Sequence, residues 1–472
     1  MSQRPRRGLW GTRFGFYLAA IGSAFGLGNL WRFPYITVEN GGGAFVLIYV
    51  IFAVAIGLPL LIGELMLGKL TRKSVMTACM QLEGHEALRA SSQLTAAETL
   101  RPLLPRAWVG RFAVFSCLLI VAYYAVISGW VLHFLVQFIV GIFSTVPPDA
   151  DSTLRVLREN GWLQIALASV HLLVTVVIVA KGVQEGMEKW VSYAMPVFVT
   201  LLIVLAMKSL SLPSASQALR FLFYPDFTKL TSYSMLHALG HVLFTLSIGF
   251  GTMVTFGSYL NEKTHIPSAG FRVTAVDTLI SLFAGLLIFP LLIGANLKAP
   301  TPELLFQALP RLFLGLDNGF FFGIAFFLCL YLAALGASIG LLESLVANVL
   351  DFKRFNRSQA TWLTGLAAFG LAIIPALSSS TFAGVQLNGH GLLEILDGAL
   401  INGLLPIAAL GLAVAVSSRL KEETVRSEFV NDESIATQKL YSHWIFVMRW
   451  IAPGAIILSF VLAGWGFFAR QF

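Results

Sequence analysis

Between residues 13 and 37 an apolar run long enough to cross a bilayer is punctured by Gly22-Ser23-Ala24-Phe25-Gly26-Leu27-Gly28-Asn29-Leu30-Trp31-Arg32-Phe33-Pro34. Hydrocarbon offers no water to backbone N–H and C=O groups. A spanning helix is therefore interrupted at that depth only where protein or a water-filled cavity covers the break. Such a chain has to bury a discontinuous helix, and a ligand site is the expected use of one. The surroundings are those of a membrane protein: 57% of residues are hydrophobic and only 12% charged, the composition of a polytopic chain. At about 20 apolar residues per crossing, eleven spans are expected, near 13–37, 42–70, 110–144, 161–181, 188–208, 234–260, 271–297, 319–351, 358–378, 391–418 and 442–469. The expected fold class is all-α.

Lysine and arginine orient the array. With the N-terminus (Arg4, Arg6, Arg7) inside, the inner loops collect about 22 of the 32 basic residues, among them Lys69, Arg72, Lys73, Lys353, Arg354 and Arg357. That asymmetry obeys the positive-inside rule, and an odd number of spans puts the C-terminus outside. The net charge of +8 reads as this topology signal and not as a nucleic-acid footprint. The first apolar run is too long for a signal peptide and lacks a small-residue cleavage site, so it is read as a retained span. Cys79, Cys117 and Cys329 are too few and too scattered for a disulfide framework or a metal cage. The expected location is the plasma (inner) membrane.

The longest polar stretches, 71–107 and 419–440, are linker-sized, so function has to lie among the spans. The first of them has room for a cytoplasmic helix, and 299–317 is expected to fold back over the bundle outside. A second puncture, Phe244-Thr245-Leu246-Ser247-Ile248-Gly249-Phe250-Gly251, lies in the sixth span as the first lies in the first. Paired interruptions in corresponding positions point to inverted repeats with a central site. The expected organisation is a latch at 1–12, a five-helix repeat at 13–209, an external loop at 210–232, a second repeat at 233–419, a cytoplasmic linker at 420–440 and an eleventh helix at 441–472. From the glycines alone, ordinary small-residue helix packing remains open as a second reading.

These residues resemble the neurotransmitter:sodium symporter family, whose bacterial members carry amino acids. The resemblance rests on Trp10-Gly11-Thr12-Arg13, the Gly22 to Pro34 block, Glu39-Asn40-Gly41-Gly42-Gly43-Ala44-Phe45, Tyr123-Tyr124, Phe244 to Phe250 and Asp351, and covers nearly all of the chain. The family is itself the standard example of broken-helix transporters. It implies coupled uptake of a small solute by alternating access.

Several site residues follow from the resemblance. The substrate carboxylate would meet the freed backbone of Leu27 and Gly28 and the hydroxyl of Tyr124, and the amino group carbonyls near Ala24, Phe244 and Ser247, with Ser23 beside them. Relatives that carry monoamines place an acid where Gly26 stands, so an amino acid is the expected substrate. The side-chain wall would be Ile120, Tyr124, Phe244, Phe250, Ala337 and Leu341, suited to a hydrophobic amino acid, aliphatic or aromatic. Without the motif, Phe244 and Phe250 read as core packing.

Sodium takes oxygen ligands. The first sodium site maps onto Ala24, Asn29, Thr245 and Asp277, where the family commonly has an amide at the last position. An acid at membrane depth is costly and by default functional. The region that binds chloride in dependent relatives maps onto Tyr49, His241, Thr245, Asp277 and Ser281, and the Asp277 carboxylate is expected to replace the anion. His241 stands there either as a proton partner or as a structurally satisfied histidine. The second sodium site maps onto Gly22, Phe25, Ala333, Gly336 and Ala337, but relatives carry hydroxyls at the last two positions. One sodium ion, or two with the second site completed by water, both remain open. No chloride requirement is expected.

Arg32 and Asp397 match the outer ion pair, with Tyr124 and Phe244 as a lid beneath. Arg7, Trp10, Tyr259 and Asp351 match the inner network, and Glu64 a buried acid that supports the unwound part of the sixth span. Gly186 and Pro196 bracket nine residues of the fifth span, a spacing at which the family unwinds its inner half. A ligand sensor or ligand-gated channel on the same scaffold, and a proton-coupled or uncoupled amino-acid exchanger, stand as alternatives. An enzyme is disfavoured: no nucleophile pairs with a plausible base within the membrane.

Overall fold

The computed structural model describes residues 9–24, 26–90, 105–143, 149–295, 304–316, 318–387, 390–420, 422–430 and 435–468. Two expected site residues, Arg7 and Phe25, lie outside that set. Among the described residues nine helices are long and apolar enough to cross a bilayer, from Gly43–Thr71 to Thr437–Trp465. A tenth crossing is the pair Arg13–Ala24 and Gly28–Glu39, bent by 41°. The remaining one is likewise split, into Ser234–Thr245 and Thr252–Ser258. The crossings thus fall where the apolar runs put them, with ends displaced by a few residues. The seventh span starts at Ile266, where Pro267 opens its first turn, a position where the missing N–H costs nothing.

Backbone conformation accounts for the second break. Ser247, Gly249 and Gly251 have φ of 53°, 88° and 73°, a left-handed region where glycine is unstrained and serine is uncommon. A helix cannot pass through three such residues. The Gly251 conformation also ends the break and starts the inner half of the span at Thr252.

In lipid, helices gain little from apolar burial against one another and rely on close packing. Phe134 and Phe327 stack across the third and eighth spans at 5.3 Å, and Phe138 packs on the same ring at 5.6 Å. The inner half of the sixth span lies directly on the second: side chains at Gly68 or Gly257 would collide with the carbonyls of Val254 or Leu65. Polar caps finish the helices. Asn356 and Gln359 form a capping box on the ninth span, and Asn160 accepts from Leu163 N–H at 3.0 Å on the fourth.

The connections carry structure of their own. Val75–Ala90 is the helix for which 71–107 had room, Ala215–Phe223 lies in the 210–232 loop, and Leu304–Leu314 folds back so that Phe306 meets Trp130 at 5.6 Å. A two-residue antiparallel ladder pairs Gln386–Leu387 with His390–Gly391. The 420–440 linker holds a helix, Glu422–Phe429, whose Glu428 pairs with Lys69 of the second span. One expectation is corrected: the segment between Gly186 and Pro196 is not unwound. Val183–Glu188 forms a π-helical turn that runs into the α-helix Lys189–Leu210. The Gly186 N–H bonds to the Gly182 carbonyl at 3.1 Å, so the glycine loosens the turn without opening it.

Candidate functional site

The two breaks face each other. Ser247 donates its hydroxyl to the Ser23 carbonyl at 3.1 Å, joining the sixth span to the first. Tyr124 of the third span accepts the freed Leu27 N–H on its hydroxyl at 2.7 Å. Between them lies a tight cavity lined by Ser23, Ala24, Gly26, Gly28, Tyr124, Phe244, Thr245, Ser247, Phe250, Ala337 and Leu341. Of the expected substrate residues only Leu27 and Ile120 are missing from this wall, and both are buried. Tyr124 and Phe244 meet at 6.5 Å, and Phe244 and Phe250 at 6.3 Å, so the wall is aromatic on one side. Helix ends give it polarity. Gly28–Arg32 and Thr252–Ser258 begin here, while Arg13–Ala24 and Ser234–Thr245 end here. N-terminal ends attract anions and C-terminal carbonyls attract cations.

Asn29 and Asp277 form the polar cluster beside the cavity. The Asn29 amide donates to Asp277 Oδ1 at 2.8 Å and to Ser281 Oγ at 2.9 Å, and its oxygen accepts from Gly26 N–H at 3.3 Å. Thr245, whose hydroxyl donates to the Val242 carbonyl at 3.4 Å, lies on the same cavity wall. Asp277 is 1% exposed, and among the described residues no ion pair neutralises it. A buried acid without a basic partner needs a proton or a metal cation. The donor set around it is oxygen, which suits a hard cation.

Tyr49 and Ser281 share a hydrogen bond at 2.9 Å. His241 does not reach Asp277: its ring lies against Phe33 at 5.5 Å and Tyr49 at 5.1 Å, and neither nitrogen has a hydrogen-bond partner among the described residues. The structurally satisfied alternative for His241 is not met, because its aromatic neighbours leave both ring nitrogens without a hydrogen-bond partner among the described residues. At the expected second sodium site, the hydroxyl nearest the missing pair is spent elsewhere: Ser338 Oγ lies 2.8 Å from His171 Nε2 in the fourth span.

On the outer side Asp397 receives Arg32 Nε at 3.4 Å, the Tyr35 hydroxyl at 3.0 Å and the Tyr123 hydroxyl at 2.7 Å. The tyrosines are the tighter partners. On the inner side Trp10 donates its backbone N–H to Tyr259 at 3.3 Å and its indole N–H to Phe256 at 3.2 Å. Asp351 accepts from Ser74 N–H at 2.9 Å and pairs with Lys73 at 3.4 Å, whereas the Tyr259 hydroxyl donates to Glu343 at 2.7 Å. Glu343 is fully buried and paired with Arg357 at 2.5 Å. Sequence reasoning missed it, although an acid inside the 319–351 apolar run is itself a signal. Glu188, also missed, accepts from Gly11 N–H at 2.9 Å, Thr12 N–H at 3.1 Å and the Thr12 hydroxyl at 2.7 Å. Nothing in its local sequence marks it. Glu64 accepts the Gly249 N–H at 2.6 Å inside the second break.

Comparison with known proteins places this geometry. The sodium:neurotransmitter symporter family model matches residues 7–143 and 151–467. An uncharacterized sodium-dependent transporter of Bacillus subtilis (strain 168) is 33% identical over 454 residues, 96% of either chain. One of Haemophilus influenzae is 30% identical over 469 residues, 98% of this chain and 99% of that protein. Among solved structures, MhsT in complex with L-phenylalanine superposes with a TM-score of 0.86 at 33% identity, over 97% of this chain and 100% of that one.

Proposed function

The chain belongs to the sodium:neurotransmitter symporter family, and from that premise we propose that it imports a hydrophobic amino acid, aliphatic or aromatic, together with sodium by alternating access. It is a multi-pass membrane transporter of a small molecule and not an enzyme. The observation that carries the substrate reading is the uncharged, side-chain-free Gly26 in a cavity built from two helix breaks. The substrate carboxylate binds at the start of Gly28–Arg32 with the Tyr124 hydroxyl, and the ammonium at the carbonyl ends near Ala24, Phe244 and Ser247. The side chain occupies the wall of Phe244, Phe250, Ala337 and Leu341. Its apolar character, and a relative crystallised with L-phenylalanine, support a hydrophobic substrate.

Sodium sits between Ala24, Asn29, Thr245 and Asp277, where it neutralises the buried carboxylate. Asp277 thereby supplies the negative charge that chloride supplies elsewhere, and transport needs no chloride. Arg32 and Asp397 close the outer path. Arg7, Trp10, Tyr259 and Asp351 close the inner one. The N-terminus lies in the cytoplasm and the C-terminus outside the inner membrane, with 13–209 and 233–419 moving as the two repeats. Gates at both ends support transport over a sensor or a channel, which needs only one.

The test is binding of a panel of amino acids across sodium concentrations, for the natural chain and for Asp277→Asn. Sodium-dependent, chloride-indifferent binding is expected of the first and chloride-sensitive binding of the second. If binding to the natural chain ignores sodium, symport fails. If Asp277→Asn leaves sodium dependence unchanged and chloride without effect, only the role of Asp277 fails.

A further inference from the structure

Resting on the symport reading, we propose that a direct clasp between the backbones of Gly22 and Gly336 takes the place of a second sodium ion, so that one sodium accompanies each substrate. A Cβ added at Gly336 would stand 2.6 Å from the Gly22 carbonyl oxygen and 3.5 Å from the Trp190 ring. That oxygen therefore occupies the space where a serine or threonine at 336 would begin. Hard cations hold their oxygens at roughly 2.0–2.6 Å and keep neighbouring ligands spread around them. With the carbonyl of one helix seated on the bare backbone of the other, no shell of ligands fits between them.

Three further observations agree. Ala337 brings no oxygen, and the Ser338 hydroxyl faces His171. On its other flank Gly22 is covered by Val191 and Met195, whose Cγ1 and Sδ would lie 3.3 and 3.4 Å from a Cβ placed there, and neither is a ligand for a hard cation. Close approach of small residues is also a means of joining helices in a membrane without polar side chains, and a carbonyl against glycine Cα hydrogens adds a weak bond of its own. The contrast with Asp277 is chemical: there buried oxygens and an unneutralised carboxylate surround one point, whereas here the oxygen is already met by backbone.

Equilibrium binding of radioactive sodium to the purified full chain decides the count without any substrate. One ion per chain is expected, two overturn the clasp, and none overturns both the clasp and the symport reading. With L-phenylalanine and L-leucine as probes, sodium should promote binding with a Hill coefficient of one; a value near two overturns the inference while leaving symport intact. Gly336→Ala adds a Cβ but no ligand. It should quicken dissociation of the bound amino acid at least fivefold with the sodium count still one, and an unchanged dissociation rate refutes the clasp. If neither amino acid binds, or if that variant does not fold, the sodium count on the natural chain still decides between one ion and two.

Discussion

At the scale of the residue, Gly26 does most to define the cavity. A Cβ there would lie 2.5 Å from the Tyr124 hydroxyl and 3.1 Å from the Ala337 Cβ. The first distance is an overlap, and the hydroxyl cannot simply turn away because it accepts the Leu27 N–H at 2.7 Å. Overpacking of this kind costs about 1–3 kcal/mol, so Gly26→Ala should weaken amino-acid binding by roughly five- to 150-fold, read as a Kd by scintillation proximity. The sequence made Gly26 legible through its match to a position that is acidic in monoamine carriers. Glu343 was equally visible as an acid in an apolar run. Its partners Tyr259 and Arg357 were not, because only folding brings the sixth span and the start of the ninth to the eighth.

At the scale of the element, each broken span depends on a carboxylate lent by another helix. In the sixth, Glu64, itself buried, holds the Gly249 N–H at 2.6 Å. A buried N–H left without an acceptor costs about 1–3 kcal/mol. Glu64→Ala should therefore lower thermal stability in detergent measurably, whereas Glu64→Gln, which keeps an acceptor oxygen, should stay close to the natural chain. In the first span, Glu188 caps the start of Arg13–Ala24 from the π-helical turn of the fifth span through Gly11 and Thr12. A cap at a helix N-terminus is worth about 1 kcal/mol. Glu188→Ala should thus shift the conformational balance roughly fivefold towards the inward-open form, measured as faster labelling of a cysteine placed in the inner vestibule. The glycine and proline of the fifth span suggested an unwound stretch. The structure keeps it helical because π-type hydrogen bonds retain the backbone pairing that lipid demands.

At the scale of the whole molecule, the ion count fixes what the transporter can achieve. A tenfold sodium gradient supplies roughly 1.4 kcal/mol and one charge moving through 100 mV about 2.3 kcal/mol. One sodium per substrate therefore sustains accumulation of a few hundredfold, and two would sustain on the order of 10⁵-fold. Proteoliposomes under those gradients should settle near the lower figure, and dissipating the voltage should release most of the accumulated amino acid. A plateau far above a thousandfold contradicts a single ion.

By itself the sequence determined the solvent of this fold, the number of crossings and the two places where helices break, because hydrocarbon length, backbone satisfaction and glycine conformation act locally. The family resemblance, also legible in sequence, named most of the cavity wall. Tertiary structure alone decided which partner each polar group takes: Ser338 with His171, Tyr259 with Glu343, Glu188 with the first span, His241 with aromatic rings, Gly22 with Gly336. Those pairings depend on how far apart and at what angle the helices pack. That is a property of many side chains at once and of no local pattern.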